Sequence, residues 1–328
     1  MKLVLSQEQL DLRAAVRAFL AAASPLPKAR ADAESGPGYS PAVYARLSGE
    51  LGLPGLIVPE EYGGAGAGHA DLAVVLEETG AALLPGPFLA TVFAAIAATE
   101  AKDEELLPAL ADGRLTATLA TSPQVINAQD ADVIFVDDGT ALRAHPAAEA
   151  AVTPLDSLDP TRRQGRVTFS GTGRTLTEDP ATLARVGDLC AVALAAEQLG
   201  VMRAALEAIV GYARIRVAFG RFIGSYQAVK HKLADMHTKL EQAESIVRYA
   251  AWAADEAPER LPEAAALAQA YVGRACFEVA RDHLVLHGGI GFTWEHDAHL
   301  YYKRAKADEV LLGPPRLHRA RLATLLEL

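Results

Sequence analysis

Apolar residues recur along this chain at two different periods. Near the N-terminus Leu10, Val16, Phe19 and Leu20 form a stripe at helical spacing. Ser6 stands in a capping position with Gln9 three residues on, so a helix is predicted to start there and to end at Pro25 and Pro27. A second helix is predicted over 44–51, closed by Gly52, followed by an extended apolar segment over 53–59. Residues 59–68, PEEYGGAGAG, predict turns. A phosphate loop would need a following Lys-Ser/Thr and a βα unit, so these glycines are read as serving left-handed backbone. The most apolar run, 81–98, is broken by Pro85, Gly86 and Pro87 and predicts a buried helix after a turn rather than a membrane span.

The period changes over 114–173. LTATLAT and RVTFSG alternate, ADVIFVDDG reads as a short apolar strand, and Asp137-Asp138-Gly139 is a hairpin candidate. From residue 181 the pattern is helical to the end. Val229, Leu233, Met236, Leu240, Ala243, Val247 and Ala250 alternate steps of four and three, a seam for an antiparallel bundle or a partner helix. Pro258 and Pro262 punctuate the next helix. The predicted fold is mainly α with a small β domain: a helical domain over 1–112, a reduced β domain over 113–178 and a C-terminal four-helix-bundle domain over 179–328.

Composition narrows the function classes. A chain of 328 residues can hold two or three domains, and its abundant alanine favours helix. The net charge of −10 argues against a nucleic-acid protein. Cys190 and Cys276 make no disulfide framework, and free thiols in a reducing cytoplasm are expected. The first residues lack the basic-then-apolar pattern of a signal peptide.

The two most informative stretches cover 199–230 and 287–313. Tyr212, Arg216, Phe219-Gly220, Gln227 and Lys230, then Gly288-Gly289-Ile290-Gly291-Phe292, resemble the C-terminal domain of the acyl-CoA dehydrogenases, flavoenzymes that desaturate acyl-CoA thioesters. PEEYGG followed by a helix over 71–80 resembles their N-terminal helical domain, a likeness that covers about 5–99. The middle region is similar in position to their β-barrel-like domain. It is short, has no tryptophan, and lacks the acidic-glycine-serine segment usual after Thr121.

The resemblance implies FAD as cofactor. Its implied contacts are Arg216, Phe219, Gly220, Gln227, Gly288, Gly289 and Gly291, reaching across a dimer interface to the flavin of the neighbouring subunit. The glutamine that normally precedes the glycine pair by three residues is here Val285. The larger departure concerns the base. Desaturation removes an acidic α-proton and passes a β-hydride to the flavin, so a carboxylate must lie within hydrogen-bond reach. Leu312 occupies the glutamate position of most members, and Cys190 that of a minority. Asp188 matches a common family aspartate, but the arginine often found three residues later is Ala191. Glu309, three residues before Leu312, is the candidate for a displaced base. Glu309, Glu197 and Asp308 are each expected to be solvated or paired surface carboxylates.

Some bacterial members, especially in steroid and cholesterol side-chain breakdown, pair a catalytic with a base-less subunit in an α2β2 tetramer, and the departures fit the base-less one. The implied partners are a catalytic acyl-CoA dehydrogenase subunit, an acyl-CoA substrate and an electron-transfer flavoprotein-type acceptor. Two alternatives stand beside this reading: a self-sufficient dehydrogenase using Glu309, and a flavin-free structural or interaction protein. His283, His287, His296 and His299 raise the question of a metal. No acid sits between His283 and His287 in the HExxH manner, so no metal site is predicted.

Overall fold

The computed structural model describes residues 3–328. Helix α1 (Gln7–Ala23) opens with the predicted capping box. Ser6 Oγ accepts from the Gln9 amide at 3.2 Å, and Gln9 Oε1 accepts from the Ser6 amide at 3.1 Å, so two otherwise orphan donors are satisfied. Helix α2 (Leu26–Ala33) follows the proline break, and α3 (Pro41–Leu51) is capped by Ser40 and closed by Gly52 at φ 62°. The extended segment expected over 53–59 is not extended. It opens with a 3-10 turn, Leu53–Gly55, and continues in further turns. With no strand alongside, its backbone groups are satisfied locally: the Gly55, Leu56 and Val58 amides donate to the carbonyls three residues earlier. The glycine-rich stretch is a turn, as expected. The amides of Gly64, Ala65, Gly66 and Ala67 all donate back to carbonyls of 55–59, which leaves none of these four to cradle a phosphate.

Helices α4 (His69–Ala81), α5 (Phe88–Glu100) and α6 (Leu107–Ala111) complete the first helical layer. All residues from Phe88 to Ala98 are buried, the signature of a helix that is apolar all round because it is covered all round. The chain then forms seven strands: β1 (Ala117–Ala120), β2 (Gln124–Ile126), β3 (Val133–Asp137), β4 (Leu142–Pro146), β5 (Ala150–Leu155), β6 (Gln164–Phe169) and β7 (Arg174–Thr177). They make a four-stranded sheet in the order β1-β3-β4-β7 and a three-stranded sheet in the order β2-β6-β5. Asp137-Asp138-Gly139 does lead a hairpin: β3 pairs antiparallel with β4, and Asp138 Oδ1 accepts from the Thr140 and Ala141 amides. Ala120, Val125, Ile134 and Val167 form a small separate core.

Helix α7 (Pro180–Ile215) is the axis of the molecule. Asp179 caps it, and it packs against α4 on one side and α9 (Leu261–Leu286) on another, with α8 (Gln227–Glu256), α10 (Ala298–Leu311) and α11 (Pro315–Leu325) completing the bundle. It is long and apolar enough to cross a membrane by composition, but 89% of its apolar window is buried inside the fold. On α8 the predicted seam is buried from Met236 through Ala250, while Val229 and Leu233 near its N-terminal end are only half-buried.

The crossing of α4 and α7 depends on two glycines. A methyl at Gly80 would collide with the Glu197 carbonyl, and a methyl at Gly200 with that of Glu77. Backbone cannot step aside as a side chain can. Gly200→Ala is therefore expected to destabilise the chain by about 2–3 kcal/mol, read as a lower denaturant midpoint at unchanged m-value.

Candidate functional site

Helix α7 stops at Ile215, and Arg216 leaves it in extended conformation. A two-stranded hairpin follows, β8 (Val217–Ala218) and β9 (Arg221–Phe222), turned by Phe219 at φ 52° and Gly220 at φ 78°. A phenylalanine in the left-handed region is uncommon and strained. Its ring is 98% exposed, so the hairpin holds a large apolar group away from its own core. Opposite, α9 ends at Leu286 and the chain passes through Gly288 at φ 68° into a 3-10 turn, Gly288–Phe292.

These two chain ends enclose a cleft of about 510 Å3, lined by Tyr212, Arg216, Ala218 and Ile223 on one side and residues 286–290 on the other. The two sequence stretches singled out above, some seventy residues apart, thus meet at one place. Arg216 is exposed and makes no ion pair among the described residues. At Gly288 and Gly289 nothing lies within 4 Å of where a Cβ would be, so a ligand can approach their backbone closely. Phe219 and Gly220 stand at the hairpin tip beside the cleft. Gln227 and Lys230 lie exposed on the first turn of α8, outside its lining. Gly291 is buried and is not among the lining residues, and a Cβ there would strike the Leu284 carbonyl. Val285 is exposed on the neighbouring surface.

His287 lines one wall, with the rings of His283 and His296 against it. His287 Nδ1 is 2.8 Å from the His283 carbonyl, which only accepts, so Nδ1 carries the proton and Nε2 is the free ring nitrogen. The His287 ring lies 4.5 Å from Tyr212, 4.6 Å from His283 and 4.3 Å from His296 between centroids. Burial lowers the pKa of His287, and drives that of His283 down to about 3. Among the described residues, no three metal-ligating side chains converge.

Neither usual base position offers a proton acceptor. Leu312 caps the end of α10, and its carbonyl is 3.0 Å from His318 Nε2. Cys190 is 1% exposed, and burial pushes its thiol pKa upward, so a thiolate is disfavoured. Asp188 is held by both terminal nitrogens of Arg321 from α11.

The three carboxylates expected at the surface are all buried: Glu197, Asp308 and Glu309 are 3%, 1% and 6% exposed. Glu309 is tied to Lys306 Nζ at 2.6 Å and faces Arg274 at 3.5 Å. Glu197 and Asp308 belong to an ionic network that joins the β region to the bundle. Arg162, on the loop between β5 and β6, donates to both Glu197 oxygens at 2.6 Å and to Asp308 Oδ1. Arg304 of α10 donates to Glu197 Oε1 at 3.0 Å, to Asp159 Oδ2 and to Thr161 Oγ1. Burial works against the charge of Asp159, but Arg304 and Arg162 outweigh it and hold its pKa below the usual range. For Asp308 burial wins over Arg162, and its pKa is pushed up to about 7. Asp159, Arg162 and Arg304 carry no motif, and the sequence reading passed over them. One signal was present: Arg304 and Asp308 continue the Leu300–Tyr301 face of α10 at helical spacing, so charges occupy positions that an inward stripe would fill.

Family-level comparison agrees with this geometry. The family model described as "Acyl-CoA dehydrogenase, N-terminal domain" matches residues 6–114, and "Acyl-CoA dehydrogenase, C-terminal domain" matches 188–326. The chain is 39% identical over 319 residues to the acyl-CoA dehydrogenase IpdE2 of Mycolicibacterium smegmatis, covering 97% of this chain and 98% of that protein. It is 37% identical to IpdE2 of Mycobacterium tuberculosis, over 94% of each chain. Among solved structures, a variant of the steroid ACAD Tcur3481-Tcur3483 superposes with a TM-score of 0.90 at 27% identity, covering 98% of both chains. The ChsE4-ChsE5 complex from Mycobacterium tuberculosis gives a TM-score of 0.90 at 25% identity, covering 100% of this chain and 99% of that one.

Proposed function

This chain belongs to the acyl-CoA dehydrogenase family, and from that premise we propose that it is the base-less subunit of a heteromeric, FAD-dependent acyl-CoA dehydrogenase. It completes a flavin site whose other half, with the catalytic carboxylate, belongs to a partner subunit. One observation carries the reading. Arg216 and the Gly288-Gly289 backbone converge on one open cleft, while Leu312 and Cys190 leave both family base positions without a carboxylate.

The cleft suits the diphosphate and adenine end of FAD. An unpaired guanidinium offers a forked donor set to phosphate oxygens. Side-chain-free backbone at Gly288 and Gly289 admits close approach, and the exposed Phe219 ring supplies an apolar face for an adenine across the subunit boundary. Bound FAD supplies the acceptor for the substrate's β-hydride. The contribution of this chain is to bind and orient that group. It has no carboxylate at either expected position to take the α-proton, and Glu309, the candidate for a displaced base, is already engaged by Lys306 and Arg274. The partner therefore supplies the base.

Two supports point to the substrate class and assembly. One structural relative is a steroid ACAD, and it and the ChsE4-ChsE5 complex both carry paired names. We accordingly assign a steroid-derived acyl-CoA as substrate, an α2β2 assembly, and an electron-transfer flavoprotein-type protein as electron acceptor.

Visible absorbance tests the reading. The purified chain is expected to be colourless alone and yellow when co-expressed with its catalytic partner, with about one flavin per pair of chains. Arg216→Ala in the complex is expected to lower flavin affinity by one to two orders of magnitude, as loss of a charge-assisted pair of about 1.5–3 kcal/mol implies. A chain that is yellow alone and is reduced by an acyl-CoA would overturn the assignment.

A further inference from the structure

We infer that His287 is a proton-linked positioning residue for the phosphate-bearing ligand of this cleft, taking up a proton at Nε2 when the anion binds. The inference rests on the reading of the cleft as a diphosphate site. The position is suggestive in itself: the residue that family members use three places before the glycine pair is the exposed Val285 here. The ring that lines the cleft beside those glycines is His287, immediately before them.

Tautomer arithmetic fixes what His287 can do. Its Nδ1–H is committed to the His283 carbonyl at 2.8 Å. In the neutral ring Nε2 is thus a lone pair, and a lone pair repels a phosphate oxygen. One proton reverses this: Nε2–H becomes a charge-assisted donor and the ring gains a positive charge next to the anion. The groups around the ring come from three parts of the chain. From α7 come Tyr212, 4.5 Å away by ring centroid, and the Arg216 guanidinium on the same cleft. From α9 comes His283, 1% exposed, with neither ring nitrogen hydrogen-bonded. Its burial in that state keeps it neutral. From the segment before α10 comes His296, whose Nδ1 accepts from the Ala298 amide at 3.1 Å, so that its single proton sits on Nε2. No carboxylate is among these neighbours. Burial is the main obstacle to protonating His287 while the cleft is empty, the hydrogen bond to the His283 carbonyl offsets it only in part, and the neighbouring His296 adds to it, as does the positive charge of Arg216 on the same cleft. A bound diphosphate reverses the balance, because its charge outweighs theirs at short range.

The sign of the linkage follows. The free ring is neutral near pH 7 and the liganded ring is protonated, so binding takes up a proton. Affinity is strongest at low pH and weakens as pH rises above the free ring's lowered pKa, by at most tenfold per pH unit, until the liganded ring itself deprotonates.

The experiment uses the flavin-loaded complex of this chain with its catalytic partner. FAD dissociation constants are measured by flavin fluorescence from pH 5.5 to 8.5, with calorimetry in two buffers of different ionisation enthalpy to count protons. The wild-type complex is expected to lose about tenfold or more in affinity across this range and to take up a fraction of a proton on binding near pH 7. His287→Gln keeps a ring-sized polar group without the titration; its affinity is expected to be flat with pH and close to the wild-type value at pH 8.5. His296→Gln removes a neighbour that opposes protonation of His287 and is expected to shift the wild-type profile to higher pH with its slope retained. A pH-independent wild type without proton uptake would overturn the proposal. So would a His287→Gln complex that keeps the slope, or a His296→Gln complex that loses it. A complex that holds no flavin, or whose flavin affinity ignores Arg216→Ala, would instead overturn the reading of the cleft itself and the proposal with it.

Discussion

Arg304→Met is expected to destabilise the chain by about 3–5 kcal/mol, the usual consequence of removing one partner from a buried ionic group. Arg304 is 0% exposed. Its guanidinium donates to Asp159, Glu197 and Thr161, and at 3.4 Å to the Leu84 carbonyl between α4 and α5. Methionine fills a similar volume but offers no donor, so two buried carboxylates lose a counter-charge at once. Asp159 keeps only the Thr161 amide and hydroxyl, and Glu197 keeps only Arg162. The effect should appear as a lower denaturant midpoint with little change in m-value. Arg304→Lys is expected to recover only part of the loss, because a single ammonium cannot span four acceptors in a planar fork. An Arg304→Met chain within 1 kcal/mol of wild type would mean that the network is hydrated in solution and is no rigid link between the β region and the bundle.

That network also marks the limit of what the sequence could disclose. The capping box at Ser6 and Gln9, the buried helix after Pro87, the hairpin after Asp137 and the long helical C-terminal part all follow from local pattern, and local pattern suffices for them. Over 53–59 a run of apolar residues does not say whether a neighbouring strand is present to pair with; here none is, and turns satisfy the backbone. Strand β2, with three residues, is too short to show a period, and β5 and β7 bury no residue, so neither carries an apolar face. The site divides in the same way. Arg216 and Gly288-Gly289 could be picked out because they sit in recognisable motifs, and the cleft brings them together. Gly291 shares the motif yet packs inward, a distinction that only three-dimensional neighbours provide. Glu197, Asp308 and Glu309 were assigned to the surface on the general rule that charges are solvated. Glu309 pairs with Lys306 one helical turn away, but for Glu197 and Asp308 the rule fails because their shared partner comes from a distant chain segment: Arg162 is 35 residues from Glu197 and 146 from Asp308. Pairings of that kind are invisible to periodicity.

Asp308→Asn is expected to reverse the order of stability between variant and wild type as pH rises. The network holds three carboxylates, Asp159, Glu197 and Asp308, against two guanidinium groups, Arg162 and Arg304. One negative charge is in excess in a region fully removed from water. Asp308 is where it is neutralised: its Oδ2 is buried with no donor in reach, and burial raises its pKa to about 7 from an ordinary 3.8. The folded chain thus keeps a proton that the unfolded chain releases at about pH 4. Below pH 4 both states are protonated and the contribution to stability is fully present. Between about pH 4 and 7 the unfolded chain binds fewer protons, and stability falls as pH rises, by up to about 1.4 kcal/mol per pH unit. Above pH 7 both states are ionised and the decline from this group stops. Asparagine keeps an oxygen for Arg162 and carries no charge at any pH, so it lacks this slope. Denaturation curves at half-unit intervals from pH 4.5 to 8.5 should show the wild-type-minus-variant difference falling through pH 7 and then levelling, with the variant the more stable chain at pH 8.5. A difference that instead rises with pH would mean that Asp308 folds as a carboxylate and that the network's proton lies on Glu197 or Asp159. A flat difference would mean that a counter-ion or water enters the network and relieves its excess charge.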